Sequence, residues 1–153
     1  WAQPQTRVHA TYEIYAMGLH VADVDATLSM GPAGYRMDIT YGTTGVLGFF
    51  STGRQVSSVE GGWSASAPLP RHYRSTGAWR GEDRIALIDY EAGRPVVRQI
   101  VPPREKEYEP VPDAIRDAST DTLSAAAELL QRAAQTGRCE ARVWSMRAGA
   151  PRN

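Results

Sequence analysis

A chain of 153 residues, 42% hydrophobic and 8% aromatic, has the composition of one folded domain, which excludes general disorder. Seventeen basic and seventeen acidic residues cancel, so no global field draws the chain to nucleic acid or anionic lipid, and a non-specific nucleic-acid binder is excluded. No apolar run reaches the roughly 18 residues of a membrane-spanning helix, so no transmembrane segment is read.

The chain opens on WAQPQTR, without an initiator Met. A small residue, Ala2, followed by a polar, Pro-containing stretch fits the end of a secretory signal peptide cleaved after Ala2; an arbitrary boundary is the alternative. Residues 1–7 are expected to be a remnant of that region, and the protein to be exported.

Strand periodicity begins next. RVHATYEIYAM puts Val8, Ala10, Tyr12, Ile14 and Ala16 on one side of an alternating strand, and Gly18 breaks it. In HVADVDATLSM, Val24, Ala26, Leu28 and Met30 alternate with Asp23, Asp25, Thr27 and Ser29. GPAG at 31–34 is a turn, after which Tyr35, Met37, Ile39 and Tyr41 point inward against Arg36, Asp38 and Thr40. Two amphipathic strands joined this way form an antiparallel hairpin with one wet face. Beyond GTTGVLGFFSTG, a weaker strand in RQVSSVE, a loop-like GGWSASAPLP, and strands in RHYRSTGAWRG, DRIALIDYE and VVRQIVPP complete six to eight short strands. Residues 8–101 are expected to be a β meander.

The period then changes twice. PPREKEYEPVP holds four prolines and five charged residues, so residues 102–120 are expected to be an extended connector. Glu105, Glu107 and Glu109 within it fit a solvated linker better than a metal or acid–base site. TDTLSAAAELLQRAAQTG sets Leu123, Ala126, Ala127, Leu130, Ala133 and Ala134 on one helical stripe, with Asp121 as N-cap and Gly137 after the C-terminus. The helix, bounded at 121–137, carries small residues that suit close packing on a sheet. A further strand is expected to start at 138–144, and residues 145–153 to be a disordered tail. Cys139, the only cysteine, lies just beyond the helix and cannot form a disulfide within this chain. In an exported protein such a residue implies an intermolecular bond, a free thiol or a missing partner.

No catalytic constellation is read, and no cofactor is expected. His9, His20 and His72 lack metal-ligand spacing. GWSAS at 62–66 lacks the final glycine of a nucleophile elbow, and GTTGVLG is not closed by the Lys-Ser or Lys-Thr of a phosphate loop. Trp79 and Arg80 with Arg71, Arg74 and Arg84 make a local basic patch that fits a sheet exterior. The segment with a candidate role is GTTGVLGFFSTG. Both phenylalanines of the chain stand there beside Val46 and Leu47, and consecutive apolar residues cannot all face one side of a strand. Val46, Leu47, Phe49 and Phe50 are therefore either an apolar contact for lipid or a partner, or a buried corner of the sheet.

Taken together, YEIYAMGLHVADVDATLSM, TGVLGFF, YRSTGAWRGEDRIALIDYEAGRPVVRQIVPP, EPVPDAIRDASTDTLSAAAELL and GRCEARV resemble the DUF3108 family, in order over about residues 8–143. The resemblance implies a bacterial, exported, periplasmic or envelope-associated protein of mainly β fold with one C-terminal helix. Its curved antiparallel sheet would be a half-barrel or β-spiral like those of lipoprotein carriers. The resemblance brings no catalytic residues. It also implies further strands, and a second cysteine for Cys139, beyond the point where this chain turns into WSMRAGAPRN. A truncation or a shifted reading frame would explain that ending. The expected function is non-enzymatic binding of a lipid or lipoprotein in an apolar groove; the alternative is a structural protein of the envelope that uses a sheet edge or face. A dimer through Cys139 or an exposed edge is a further expectation.

Overall fold

The computed structural model describes residues 5–45, 52–65, 67–103, 112 and 120–138. Seven strands follow one another: β1 (Thr6–Ala16), β2 (Leu19–Gly31), β3 (Gly34–Thr43), β4 (Gly53–Ser64), β5 (Ala67–Trp79), β6 (Glu82–Glu91) and β7 (Arg94–Val101). Each pairs antiparallel with the next in a single sheet of order β1-β2-β3-β4-β5-β6-β7. Among the described strands the sheet is not closed, and β1 and β7 stand at its edges. A helix, α1 (Thr122–Thr136), follows. The fold is mainly β with one C-terminal helix, as the sequence pattern implies.

Register turns the alternation into two faces. Val8 lies opposite Leu28, Leu28 opposite Met37, and Met37 opposite Val59. The same row continues through Tyr73 and Ile88 to Val97. One apolar line thus crosses all seven strands. The next line over is His9, Thr27, Asp38, Ser58 and Arg74. A slip of one residue in any pairing would exchange these lines, so the buried face fixes the register.

Burial along the apolar row locates the core. Val8 is 50% exposed at one edge and Val97 51% at the other, whereas Val59 in the middle is 1% exposed. The difference is α1, which packs on β3, β4 and β5. Leu28, Tyr35, Met37 and Val59 of the sheet and Leu123 and Ala127 of the helix form the buried cluster, flanked by Met30, Ile39, Trp63, Tyr73 and Ala126.

Three connections are two-residue turns, Met17-Gly18, Arg80-Gly81 and Ala92-Gly93, with both residues at positive φ. Such type I′ turns match the right-handed twist of paired strands. At the GPAG turn a different constraint acts: a Cβ on Gly34 would stand 2.2 Å from the carbonyl oxygen of Gly61. Only glycine lets the β3 and β4 backbones approach so closely.

β1 starts at Thr6, where Thr6 and Arg7 pair with Met30 and Ser29. The structure corrects two expectations. The strands are not short but 8 to 13 residues long, and GGWSASAPLP is largely strand. Gly61 and Gly62 continue β4 past an irregularity at Glu60/Gly61, opposite Pro70 and Leu69. Glycines at this bend bring the two backbones together; the side chains that would have announced a strand are missing. The helix bounds agree with the sequence, but its buried side is Leu123, Ser124, Ala127 and Glu128, while Leu130 and Ala134 are exposed. Two polar residues displace the edge of the apolar stripe because each has a partner.

Candidate functional site

The seat of the helix is a buried polar joint. Asp121 is the N-cap, accepting from the backbone N–H of Ser124 at 2.8 Å, and its other carboxylate oxygen accepts from the Ser124 hydroxyl at 2.7 Å. Ser124 Oγ in turn accepts from Tyr35 Oη at 2.7 Å. Tyr90 Oη donates to Asp121 at 3.0 Å and accepts from the Asp121 N–H at 3.1 Å. Burial raises the phenol pKa of Tyr35 far above its ordinary value, the nearby Asp121 carboxylate adding to the rise. Tyr90 is raised in the same way, first by burial and then by the charge of Asp121. Both phenols therefore stay protonated and donating. Farther along the helix, Glu128 is held by Arg132 at 2.6 Å. At the other end Gly137 adopts a left-handed conformation, and its N–H closes on the carbonyl of Ala133. Every hydroxyl of the joint is engaged in anchoring α1 to the sheet.

This joint lies towards the end of the sheet that carries the β2–β3, β4–β5 and β6–β7 turns, where Tyr35, Trp63 and Tyr90 stand next to those turns. Trp63 packs its ring on Tyr35 with centroids 4.7 Å apart and donates to the carbonyl of Gly31 at 3.1 Å. The opposite end carries the Met17-Gly18 turn, the β3–β4 connection and the Arg80-Gly81 turn. There the apolar face continues through Val24 and Tyr41, which are half-buried, to Tyr12 at 58% and Ile14 at 42% exposure. Its middle is stitched by small polar groups: Ser75 Oγ accepts from Gln55 at 2.7 Å and lies 2.7 Å from Ser57 Oγ. Trp79 covers Gly53, where a Cβ would meet its ring at 2.2 Å.

Apolar side chains also crowd the tip. Met17 is fully exposed, Leu19 more than half exposed and Ile14 42% exposed, whereas Tyr15 turns to the other face, where it donates to Glu13 and stacks on His20. Met17 holds φ 51°, a conformation that Asn, Asp or Gly adopts with less strain. A large thioether, solvent-facing and in a strained turn, is poorly explained by folding alone. The β3–β4 connection leaves from the same place. Thr44 donates its N–H to the carbonyl of Val21 at 3.0 Å, and a Cβ on Gly45 would lie 2.6 Å from the carbonyl of His20.

The opposite face of the sheet is a lattice of paired charges. Asp89 accepts from Arg74 at 2.6 Å, Arg98 at 2.8 Å and His72 at 3.0 Å. These hydrogen bonds, that from His72 first, hold its carboxyl well below the usual carboxylate range. Arg36 forks onto Asp38 with two contacts of 2.9 Å. His9 meets Asp25 and His20 meets Asp23, each at 2.7 Å. The three histidines thus sit on separate strands with one aspartate apiece, and no group of three metal-binding side chains occurs among the described residues. A depression of about 270 Å³ on this face is lined by Arg36, Ser58, Glu60, His72 and Arg74, its two arginines paired with Asp38 and Asp89.

Val46, Leu47, Phe49 and Phe50 lie outside the described residues, as do Cys139, Glu105, Glu107, Glu109, most of the expected linker, the expected strand after Arg138, and residues 145–153. Sequence reading missed Tyr35, Tyr90 and Ser124 as a unit, and it missed Met17. The first three are far apart along the chain, Tyr35 and Ser124 by 89 positions. Met17 carried a visible signal: a bulky apolar residue before glycine, where a two-residue hairpin turn calls for Asn or Asp.

No described helix is long and apolar enough to cross a membrane. No curated protein and no solved structure matches the chain. The match that exists is to a family model covering residues 11–144, most of the length, so the chain belongs to DUF3108, a family of proteins of unknown function.

Proposed function

We propose that this protein is a non-enzymatic component of the bacterial envelope that binds a lipid, or the acyl chain of a lipidated partner, on the apolar sheet face beyond α1. The carrying observation is the apolar tip of the β1–β2 hairpin, where Met17 stands fully exposed in a strained turn with Ile14 and Leu19 exposed on either side of it. A contiguous exposed apolar patch on a soluble surface marks contact with lipid or protein. Methionine suits a shape-tolerant contact because its side chain is unbranched and polarisable. In this reading α1 closes the far end of the face.

Charge argues for the acyl chain rather than the headgroup as the element recognised. The chain has no net charge, and Glu13 and Asp23 flank the tip. Binding should therefore be weakly dependent on salt. The test is co-sedimentation with vesicles of a zwitterionic phospholipid, at low and high salt, for the wild type and for Ile14→Ser with Met17→Asn. Retention of the wild type at both salt levels, and its loss in the variant without loss of cooperative unfolding, supports the reading. Equal behaviour of the two proteins would remove these residues from any lipid contact.

A further inference from the structure

The two edges of the sheet are built differently. β7 has 8 residues, carries Pro95 and Arg98, ends before Pro102, and meets β6 across an irregularity at Leu87/Ile88. Proline, positive charge and irregular pairing are devices that discourage an edge from pairing further. β1 has none of the first and last: 11 residues without proline, regular throughout, because the one irregularity against β2 places its extra residue, Val21, in β2. Every β1 residue except Ala10 is exposed. A strand of that length, exposed on both faces and paired with one neighbour among the described residues, presents a row of backbone donors and acceptors along its other edge.

We propose that a second copy of the chain pairs with β1, antiparallel, about a two-fold axis at Thr11. The sequence of the strand is complementary to itself in that register. Thr11 meets its own copy, Ala10 meets Tyr12, His9 meets Glu13, Val8 meets Ile14, Arg7 meets Tyr15 and Thr6 meets Ala16. All 11 residues are paired. Alternation keeps Val8, Ala10, Tyr12 and Ile14 of both copies on one face, so the apolar row of each sheet runs on into its partner. On the other face His9 meets Glu13 twice, and Arg7 meets a Tyr15 whose hydroxyl is bonded to Glu13 at 2.8 Å. Centring the axis on Ala10 sets Arg7 against Glu13 but shortens the ladder and leaves His9 against Thr11, and centring on Tyr12 also shortens it and sets Glu13 against Thr11. A parallel arrangement in register would set Arg7 on Arg7, Glu13 on Glu13. Opposite-charge and apolar pairs directly across strands are favourable and like charges unfavourable, which excludes the parallel arrangement, and the full-length ladder selects the Thr11 axis among the antiparallel ones. A two-fold interface uses the same patch twice, as this one does. The pairing does not rest on the lipid reading; it needs only the edge.

The test is sedimentation velocity over a dilution series, in a Cys139→Ser background so that no thiol link contributes. A concentration-dependent dimer is expected. Glu13→Lys, which sets a positive charge against His9 and near Arg7 of the other copy, should weaken it about tenfold, since each cross-strand change counts twice. Adding His9→Glu should restore it. In the same background Thr11→Cys should form a disulfide-linked dimer under mild oxidation, and Glu13→Cys should not, because the two copies of position 13 lie four residues apart on each strand. A monomer at all concentrations overturns the proposal. So does a dimer indifferent to Glu13→Lys, or one that cross-links equally through both cysteines.

Discussion

Met17 states the conflict between folding and function most sharply. At φ 51° in a two-residue turn, asparagine relieves strain that methionine cannot. Met17→Asn should therefore stabilise the protein by about 0.5–1 kcal/mol while reducing its retention on lipid vesicles. Chemical denaturation and co-sedimentation on the same variant check both signs; a variant that loses stability would show that Met17 packs against something. Ser124 poses the opposite case. It is fully buried between Tyr35 and Asp121, so Ser124→Ala strands two partners and should cost about 1–3 kcal/mol, read as a lower denaturation midpoint. Asp121 was legible in the sequence as a cap, since it immediately precedes a helical period. Its bond to Tyr90 and the link from Ser124 to Tyr35 were not, because no local pattern joins a tyrosine in a strand to a serine 89 positions away.

At the scale of the element, the polar joint makes the seating of α1 dependent on pH. Tyr35 and Tyr90 have phenol pKa values raised by burial, whereas in the unfolded chain they ionise near 10. The stabilisation they supply is complete below that value and falls as pH climbs through and beyond it, because the unfolded chain then loses protons that the folded one keeps. Absorbance of tyrosinate followed together with circular dichroism should show these two ionising only as the fold is lost. Ionisation of all tyrosines in one step near pH 10, with the fold intact, would mean that the joint is open. The β2–β3 connection makes a steric prediction. Gly34→Ala forces a Cβ onto the Gly61 carbonyl, so the variant should lose about 2 kcal/mol or more, or shift the hairpin register. Thermal unfolding would reveal either. The alternation of Val24, Ala26, Leu28 and Met30 made this hairpin readable in advance. The β4–β5 arm was not readable, since Gly61, Gly62, Pro68 and Pro70 replace the alternating side chains by which strands announce themselves. The helix was placed correctly, yet its buried side was misjudged: hydrophobicity alone ranks Leu130 above Ser124 and Glu128, and only tertiary partners reverse that order.

For the whole molecule, the open meander and its single helix follow from a strict two-residue period, turns spaced by glycine, and one late change to a helical period. The candidate site was less legible. The apolar cluster of Val46, Leu47, Phe49 and Phe50 stood out, whereas the tip consists of Ile14, Met17 and Leu19, of which the first two had been read as ordinary strand. The antiparallel order brings Thr44, where the β3–β4 connection starts, to Val21 near that tip. The central claim is that this end of the sheet meets an acyl chain. Native mass spectrometry of the protein, gently purified from a bacterial envelope fraction, tests it most directly. A compact species carrying additional mass that dissociates as lipid, and losing it on Ile14→Ser with Met17→Asn, is the predicted result. A compact species without added mass, from wild type and variant alike, would contradict it.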